Sequence, residues 1–254
     1  MARYSDLMGR RGGDFFTPRA AVDVLVQLVA DDSQAVRSVH DPFVRAGELL
    51  SAGCDAVASR GGGALQASGT GVGEHPLALA GMNLALHAIP EVSLGTGSTA
   101  PSADADLRHQ AYDRILTNPP FNMRIERFVE RGHWRYGPPP RHNANFDWLQ
   151  YVVTHLRPGG RAAVLMPDIA AFSANPSERK IRAAMVEDGA VQALISLPAQ
   201  LFTTTGISVT VWLLRHPPGT CDEVLLVNAG HFGSLVSRVR RELAPDETRR
   251  ILEE

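Results

Sequence analysis

Residues 112–121, YDRILTNPPF, run an apolar stretch directly into an amide, two prolines and an aromatic ring. The first five residues are typical of a buried strand, and proline is depleted inside strands. The strand is therefore predicted to end at Asn118, the first residue of the Asn-Pro-Pro-Phe tetrapeptide. Two interpretations are open: a strand that ends in a stiff turn, or a pocket that holds a planar amino group.

The sequence on either side of this stretch alternates between strand and helix patterns. A first strand, SVHD, is predicted to end at Asp41, and a glycine-padded second strand is predicted to end near Glu74. Helical periodicity precedes the first strand, as at Val22, Leu25 and Val29, and further helical patterns lie between the strands. This alternation predicts a doubly wound, mostly parallel α/β sheet with helices on both faces. ISVTVWLLRH and EVLLVNAG follow one another without a helix, which predicts an antiparallel end strand.

Local signals predict where three of the helices begin or end. Thr17 is the predicted N-cap of the first helix, with Pro18 at its first helical position. A helix over FDWLQYVVTHLRPGG is predicted to be stopped by the Pro-Gly-Gly at residues 158–160. Residues 238–254 are predicted to form a charged C-terminal helix.

Composition limits the class of protein. The 254 residues suffice for one large α/β domain and are short for two, so residues 1–254 are predicted to form a single domain. A net charge of −2 excludes an overall basic protein, but a local basic patch can still contact phosphates. Cys54 and Cys221 make neither a disulfide framework nor a metal cluster, and no metal site is predicted. The first residues lack the apolar core of a signal peptide, and no apolar run approaches the roughly 18–20 residues of a membrane span, so we expect a cytoplasmic protein.

The predicted strand ends carry polar residues, and ligands bind outside the carboxyl ends of strands in a doubly wound sheet. Asp41, Glu74 and Asn118 are the residues predicted there. A carboxylate after the second strand can accept hydrogen bonds from the two hydroxyls of a ribose. Glu74 could equally be a solvated loop residue, and Asp41, before Pro42, a turn residue.

The Asn-Pro-Pro-Phe tetrapeptide carries the more specific chemistry. The side-chain oxygen of Asn118 and the carbonyl of Pro119 can both accept hydrogen bonds from an exocyclic amine. The two prolines restrict φ and donate no backbone hydrogen bond, which aims these acceptors in advance. Phe121 could stack on the ring that bears the amine. The lone pair of the amine then stays free to attack an electrophilic methyl group.

Residues 122–144 form a segment with little apolar periodicity, longer than most loops in compact domains. Arginines and aromatic residues are interleaved in it. Such a mixture beside a base pocket suits phosphate contacts and base stacking, although a mobile, solvated loop is the alternative. The residues predicted to contact nucleic acid are Arg124, Arg127, Arg131, Trp134 and Arg135.

Further segments, taken in order, complete a resemblance to a known family. They are GGDFFTPRAAVDVLVQLV, HDPFVRAGELLSAG, GMNLALHAI, ILTNPPF, LRPGGRAAVLMPDIAAF and ISLPAQLFTTTGISVTVWLLRH, from about residue 13 to residue 216. The chain resembles the methylation subunits of type I restriction-modification systems, which are S-adenosylmethionine-dependent adenine-N6 DNA methyltransferases. The resemblance implies a Rossmann-like methyltransferase fold, S-adenosylmethionine as cofactor, DNA as substrate, and a specificity or other subunit as partner. Only about a dozen residues precede the first segment, so we expect a catalytic core.

The resemblance also implies roles for individual residues. The residues that would line the cofactor site are Phe16, Thr17, Pro18, Asp41, Gly47, Glu74 and Asn118. The residues that would hold the target adenine, flipped out of the duplex, are Asn118, Pro119, Pro120 and Phe121.

Two positions depart from the family pattern. Arg45 stands where the family usually has a glycine, and Thr96 lies where an aspartate is common. These departures motivate a second interpretation, a catalytically inactive methyltransferase-like subunit that binds DNA or regulates a complex. A third interpretation is methylation of a protein glutamine amide, whose planar amine suits the same tetrapeptide. Those enzymes usually end the motif in tyrosine and lack the Phe-Phe-Thr-Pro entry.

Overall fold

A computed structural model describes residues 16–30, 36–61, 65–101, 111–125, 134–202, 207–219, 223–238 and 240–253. The helices in these ranges are α1 (Arg19–Val29), α2 (Glu48–Ser59), α3 (Glu74–Leu86), α4 (Asn145–Thr154), α5 (Ile169–Phe172), α6 (Pro176–Glu187) and α7 (Pro245–Glu253). The strands are β1 (Ser38–Asp41), β2 (Gln66–Gly71), β3 (Glu91–Thr96), β4 (Tyr112–Thr117), β5 (Leu156–Pro167), β6 (Val191–Ser196), β7 (Val209–Arg215), β8 (Leu225–Asn228), β9 (Ser234–Ser237) and β10 (Arg240–Glu242).

The first eight strands form one sheet in the order β3-β2-β1-β4-β5-β7-β6-β8. Its pairings are parallel except those of β7, which runs antiparallel to both β5 and β6. The predicted doubly wound, mostly parallel sheet is confirmed. The antiparallel strand lies inside the sheet, whereas the edge strand β8 pairs parallel with β6.

Helices cover both faces of this sheet, which explains why its central strands β1, β4 and β7 are buried along almost their whole length. On one face, buried residues of α1, α2 and α3 such as Leu25, Leu50 and Leu84 pack together against the strands. On the other face, Trp148 of α4 and Met185 of α6 belong to a second core. Among the described residues, no helix has both the length and the apolar character to cross a membrane.

The boundary between α4 and β5 differs from the prediction. The helix ends at Thr154, and β5 begins at Leu156, so the Pro-Gly-Gly at 158–160 lies in the strand. The pairing of β4 with β5 shifts register between Tyr112 and Arg114. A bulge of this kind accommodates a proline that a regular ladder would exclude.

The predicted helix over residues 238–254 is wrong in its first part. Residues 240–242 form β10, which pairs antiparallel with β9, and only Pro245–Glu253 is helical. Proline is favoured at the first position of a helix, where its missing N–H costs nothing. The carboxylate of Glu247 accepts hydrogen bonds from the backbone N–H groups of Ala244 and Gly233, both at 2.8 Å, and so fixes the start of α7.

Candidate active site

The candidate site lies where the winding of the sheet reverses. From β1 the chain proceeds to β2 and β3 on one side, and then returns to β4 on the other side of β1. Both β2 and β4 run parallel to β1, so the carboxyl ends of the three strands lie at one edge. A crevice at such a reversal is where open α/β sheets bind ligands.

Asn118 follows the last residue of β4 and is held by a residue distant in sequence. Its side-chain N–H donates to Thr17 Oγ1 at 3.1 Å, and both residues are buried. This bond orients the amide and leaves its oxygen, Oδ1, as the acceptor for a ligand. The N-cap prediction for Thr17 is wrong: α1 begins after Pro18, which is the N-cap and has no side-chain cap. The Thr17 hydroxyl instead binds Asn118.

Glu48 ties this pair to the loop after β1, and the sequence analysis missed it. The backbone N–H of Thr17 donates to Glu48 Oε1 at 3.2 Å. Glu48 is the first residue of α2, directly after Gly47. An acidic residue at the start of a helix is a common favourable interaction with the helix dipole, so its position alone gave no functional signal.

Asp41 ends β1 and is buried at the base of the crevice. Its Oδ1 accepts a hydrogen bond from the backbone N–H of Phe43 at 3.0 Å. Burial raises the pKa of Asp41 to about 7, against the opposing effects of Thr117, the Phe43 N–H and Arg45. The carboxyl group therefore keeps its proton to a much higher pH than an exposed aspartate, and in its protonated form it can donate a hydrogen bond.

Arg45 reaches from the loop after β1 to the loop after β4. Its Nη2 donates to the backbone oxygen of Asn118 at 3.5 Å, and its Cζ lies 5.3 Å from the centre of the Phe43 ring. The side chain is half-buried. A positive charge thus stands at the point where the two loops face each other.

Gly47 and Glu74 occupy the rim of the crevice. Gly47 has a φ of +76° and precedes α2, and a Cβ there would lie 3.1 Å from Ala80 Cα in α3. The need for glycine at this position therefore comes from helix packing as well as backbone conformation. Glu74 is the first residue of α3 and is exposed, close after the end of β2.

The remaining tetrapeptide residues extend from the core to the surface. Pro119 is buried, Pro120 and Phe121 are half-buried, and Phe121 packs against the apolar core. Asn122 and Asn145, which the sequence did not single out, hold the end of this loop against α4 through two hydrogen bonds. The Asn122 N–H donates to Asn145 Oδ1 at 2.9 Å, and Asn145 Nδ2 donates to Asn122 Oδ1 at 3.0 Å. Phe16 and Pro18, on either side of Thr17, are also half-buried.

The structure describes three of the five predicted DNA-contact residues, and Arg127 and Arg131 lie outside the described residues. Arg124 is exposed, three residues beyond Phe121. Trp134 donates its indole N–H to Asp147 Oδ1 at 2.9 Å, on α4.

Arg135 belongs to the opposite edge of the sheet from Asn118. Its Nε lies 2.8 Å from Asp188 Oδ2, and the Tyr136 hydroxyl donates to the same oxygen at 2.9 Å. Asp188 follows α6 and precedes β6, so it stands at the amino end of the strands. Arg135 thus anchors its segment away from the tetrapeptide.

A separate open depression of about 500 Å³ lies across the ends of β6 and β8. Asp168, Thr210 and Asn228 contribute to its lining, and Thr210 Oγ1 donates to Asp168 Oδ1 at 2.6 Å. None of the residues predicted for the cofactor or the target base lines it. The crevice at β1 and β4 remains the candidate site, because the polar side chains converge there.

The donor set of the crevice matches part of the cofactor that the resemblance implies. An exposed carboxylate at Glu74 suits ribose hydroxyls, and the oriented amide of Asn118 suits an exocyclic amine. The guanidinium of Arg45 does not match a positively charged sulfonium. Within the described residues, no group of three or more His, Cys, Asp or Glu could hold a metal ion.

Comparison with known proteins supplies the wider context. The family model of N-6 DNA methylases matches residues 1–254. The chain is 30% identical to the methylase subunit of the type I restriction enzyme HindI of Haemophilus influenzae, over 99% of this chain and 57% of that protein.

Two solved structures share the fold. The methyltransferase subunit of a type I restriction-modification system from Streptococcus thermophilus matches with a TM-score of 0.88 and 24% identity, over 99% of this chain and 54% of that one. A Listeria monocytogenes protein assigned to the class I S-adenosylmethionine-dependent methyltransferases matches with a TM-score of 0.70 and 20% identity, over 99% and 75%. The chain thus spans about half the length of the type I methylase subunits that it resembles.

Proposed function

Because the chain belongs to the N-6 DNA methylase family, we propose that it transfers a methyl group from S-adenosylmethionine to the N6 amine of adenine in DNA. The observation that carries the proposal is the hydrogen bond from Asn118 to Thr17. It joins the tetrapeptide to the entry segment and orients the amide oxygen as an acceptor. Family membership supplies the reaction class, and this contact supplies a mechanism for this chain.

In this mechanism, the protein acts by positioning. The target adenine leaves the base stack, at a cost of a few kcal/mol, because its amine is out of reach inside the duplex. Asn118 Oδ1 and the carbonyl of Pro119 would accept hydrogen bonds from the two N6–H groups, and Phe121 would stack on the base. S-adenosylmethionine would supply the electrophilic methyl group and leave as S-adenosylhomocysteine, while the methylated amine loses one proton to solvent. Fixing the amine in this geometry removes much of the entropic barrier without a nucleophilic side chain.

Glu74 and Asp41 are the residues that we assign to the cofactor, with Thr17 and Glu48 holding the surrounding loops. Glu74 would accept hydrogen bonds from the ribose. The exposed position of its carboxylate and the burial of Asp41 support this assignment. Relatives are named as subunits, so we also propose that the chain works with a DNA-specificity subunit.

The test is transfer of a labelled methyl group to duplex DNA by the purified chain and by Asn118→Ala. We expect the rate of methyl transfer by the variant to fall at least about a hundredfold, because the substitution removes the oriented acceptor Oδ1. The variant should still melt cooperatively. Asn228→Ala is a matched control, since Asn228 is exposed at the end of β8. DNA that already carries N6-methyladenine should accept no label. Transfer by Asn118→Ala at the wild-type rate would contradict the mechanism.

Arg45 supports a second candidate function. A charged side chain between the two loops of the crevice would suit a methyltransferase-like subunit that binds DNA without turnover. DNA binding by a folded chain that fails to bind S-adenosylmethionine would favour this candidate over methyl transfer.

A further inference from the structure

Strands β9 and β10 form an exposed two-stranded ribbon. They pair antiparallel with each other and, among the described residues, with no other strand. All four residues of β9 are exposed, including Leu235 at 59% and Val236 at 53%. An isolated ribbon of this kind is at best marginally stable in water, so contacts with the rest of the protein must hold it in place.

Gln200, in the loop after β6, supplies two of those contacts. Its backbone oxygen accepts the N–H of Arg241 at 2.8 Å, and its Nε2 donates to the backbone oxygen of Arg238 at 3.3 Å. Gln200 has a left-handed φ of +65°, which is uncommon for a residue other than glycine. At the base of the ribbon, Arg241 Nη1 donates to the carbonyls of Phe232 and Gly233 at 3.1 and 2.8 Å. The ribbon is therefore fixed to the loop that follows β6.

This loop lies at the same edge of the sheet as the crevice. Because β7 runs antiparallel to both β5 and β6, the strands β4, β5, β6 and β8 all point in one direction. β6 is three strands away from β4, which corresponds to about 15 Å, a distance that about four base pairs span. The helix after the ribbon, α7, packs against α1, which begins two residues after Thr17. A duplex whose target base enters the crevice therefore passes close to the ribbon.

The ribbon adds a local excess of positive charge to a chain whose net charge is −2. Residues 229–250 carry five arginines against three acidic residues. One of the acids, Glu242, lies 2.6 Å from Arg240 Nη2, and the other two lie in the first turn of α7. Arg238 stands in the turn after β9, is exposed, and has no side-chain hydrogen bond or ion pair with any described residue. The tip of the ribbon thus presents an available guanidinium.

We propose that the β9–β10 ribbon is a DNA-contact element, in which Arg238 binds a backbone phosphate of the duplex that delivers its adenine to the crevice. The inference rests on the proposed function, because it takes DNA as the substrate. A guanidinium matches the geometry of a phosphate group, and a two-stranded ribbon is narrow enough for the major groove. Exposed apolar side chains such as Leu235 and Val236 suit contact with thymine methyl groups there.

Fluorescence anisotropy of a labelled duplex, titrated with the whole chain at several salt concentrations, tests the proposal. Arg238→Ala should weaken binding severalfold and reduce the slope of log affinity against log salt by about one, as expected for one lost phosphate contact. Arg238→Lys keeps the charge and should bind within about twofold of the wild type. Because Arg238 is exposed in a turn, both variants should melt like the wild type.

Arg157→Ala is the matched control for loss of one arginine charge. Arg157 lies at the start of β5, at the opposite edge of the sheet, where it pairs with Asp113 at 3.4 Å. Its substitution should leave the affinity and the salt slope close to those of the wild type. An equal loss in Arg238→Ala and Arg157→Ala would overturn the inference, because binding would then follow total charge.

The inference and the proposed function can fail separately. If Arg238→Ala binds the duplex as the wild type does, or if the wild type binds no duplex at low salt, the ribbon is not a DNA contact and a protein partner becomes its alternative occupant. Transfer of labelled methyl groups by the wild type still decides the proposed function in that case. A loss of affinity confined to Arg238→Ala, in a chain that transfers no methyl group, would support the ribbon and reject the proposed reaction.

Discussion

At the scale of single residues, the burial of the Asp41 carboxyl makes the free energy of unfolding depend on pH. The folded chain holds this carboxyl in a buried place, where its pKa is raised to about 7 from an ordinary value of 3.8. Between these two values, the folded chain binds a proton that the unfolded chain has lost. The contribution of Asp41 to stability is therefore full below about pH 3.8 and is lost as the pH rises through 7.

We predict that Asp41→Asn makes the chain more stable at pH 8 relative to the wild type than it does at pH 4.5. Asparagine carries no charge, and its Oδ1 can still accept the Phe43 N–H. The gain between the two pH values should be about 3 kcal/mol, because each pKa unit corresponds to about 1.4 kcal/mol and part of the difference is already present at pH 4.5. Urea unfolding at both pH values measures it. A difference between variant and wild type that does not change with pH would contradict the prediction.

The residues of the site could be predicted from the sequence better than their contacts. Asn118, Asp41 and Glu74 were predicted at strand ends, and the structure has them at the carboxyl ends of β4, β1 and β2. The bonds from Asn118 to Thr17 and from Thr17 to Glu48 join segments 101 and 31 residues apart. No periodicity or local propensity encodes such a contact, so Thr17 was read as a helix cap.

At the scale of the elements, close packing of α2 on α3 depends on Gly47. Its left-handed φ of +76° disfavours any other residue, and a Cβ would meet three atoms of Ala80 at 3.1–3.3 Å. Gly61 also has a left-handed φ, +81°, but a Cβ there would meet none of the described residues within 4 Å. The same substitution at the two glycines therefore distinguishes the cost of backbone strain from the cost of the contact between helices.

We predict that Gly47→Ala lowers the free energy of unfolding by about 2–5 kcal/mol and Gly61→Ala by about 1–2 kcal/mol. The left-handed conformation costs about 1–2 kcal/mol in both variants, and overpacking adds about 1–3 kcal/mol at Gly47 alone. Chemical denaturation of the two variants measures the difference. Equal losses of stability in the two variants would show that α3 shifts to make room for the added methyl group. The contact with Ala80 would then not limit the packing of α2 on α3.

Element boundaries were the least predictable level of the fold. Most strands and helices followed from periodicity, but the Pro-Gly-Gly after α4 was read as a helix stop and lies within β5. Proline and glycine interrupt helices and strands alike. Only the pairing with β4, with its shift in register, shows that residues 158–160 belong to a strand. The same applies to residues 240–242. Their charged sequence predicts a helix, but they pair with β9 and form a strand.

At the scale of the whole molecule, the DNA substrate that we propose would bind a chain with a net charge of −2. Affinity for phosphates then depends on where the individual arginines stand. Arg124 is exposed three residues after Phe121 and has no hydrogen-bond or ion-pair partner among the described residues. Arg135, at the other edge of the sheet, is already paired with Asp188. The two arginines differ in both position and availability.

We therefore predict that Arg124→Ala weakens binding to duplex DNA severalfold and reduces the slope of log affinity against log salt by about one, as expected for one lost phosphate contact. Arg135→Ala removes the same charge and serves as the matched control, with affinity and salt slope close to those of the wild type. Fluorescence anisotropy with a labelled duplex at several salt concentrations measures both quantities. An equal loss of affinity in the two variants would mean that DNA binding depends on the total charge of the protein and not on the position of the arginine. A loss in Arg135→Ala alone would place the DNA along α4 and the end of α6, away from the Asn118 crevice, and would separate the DNA surface from the proposed base pocket.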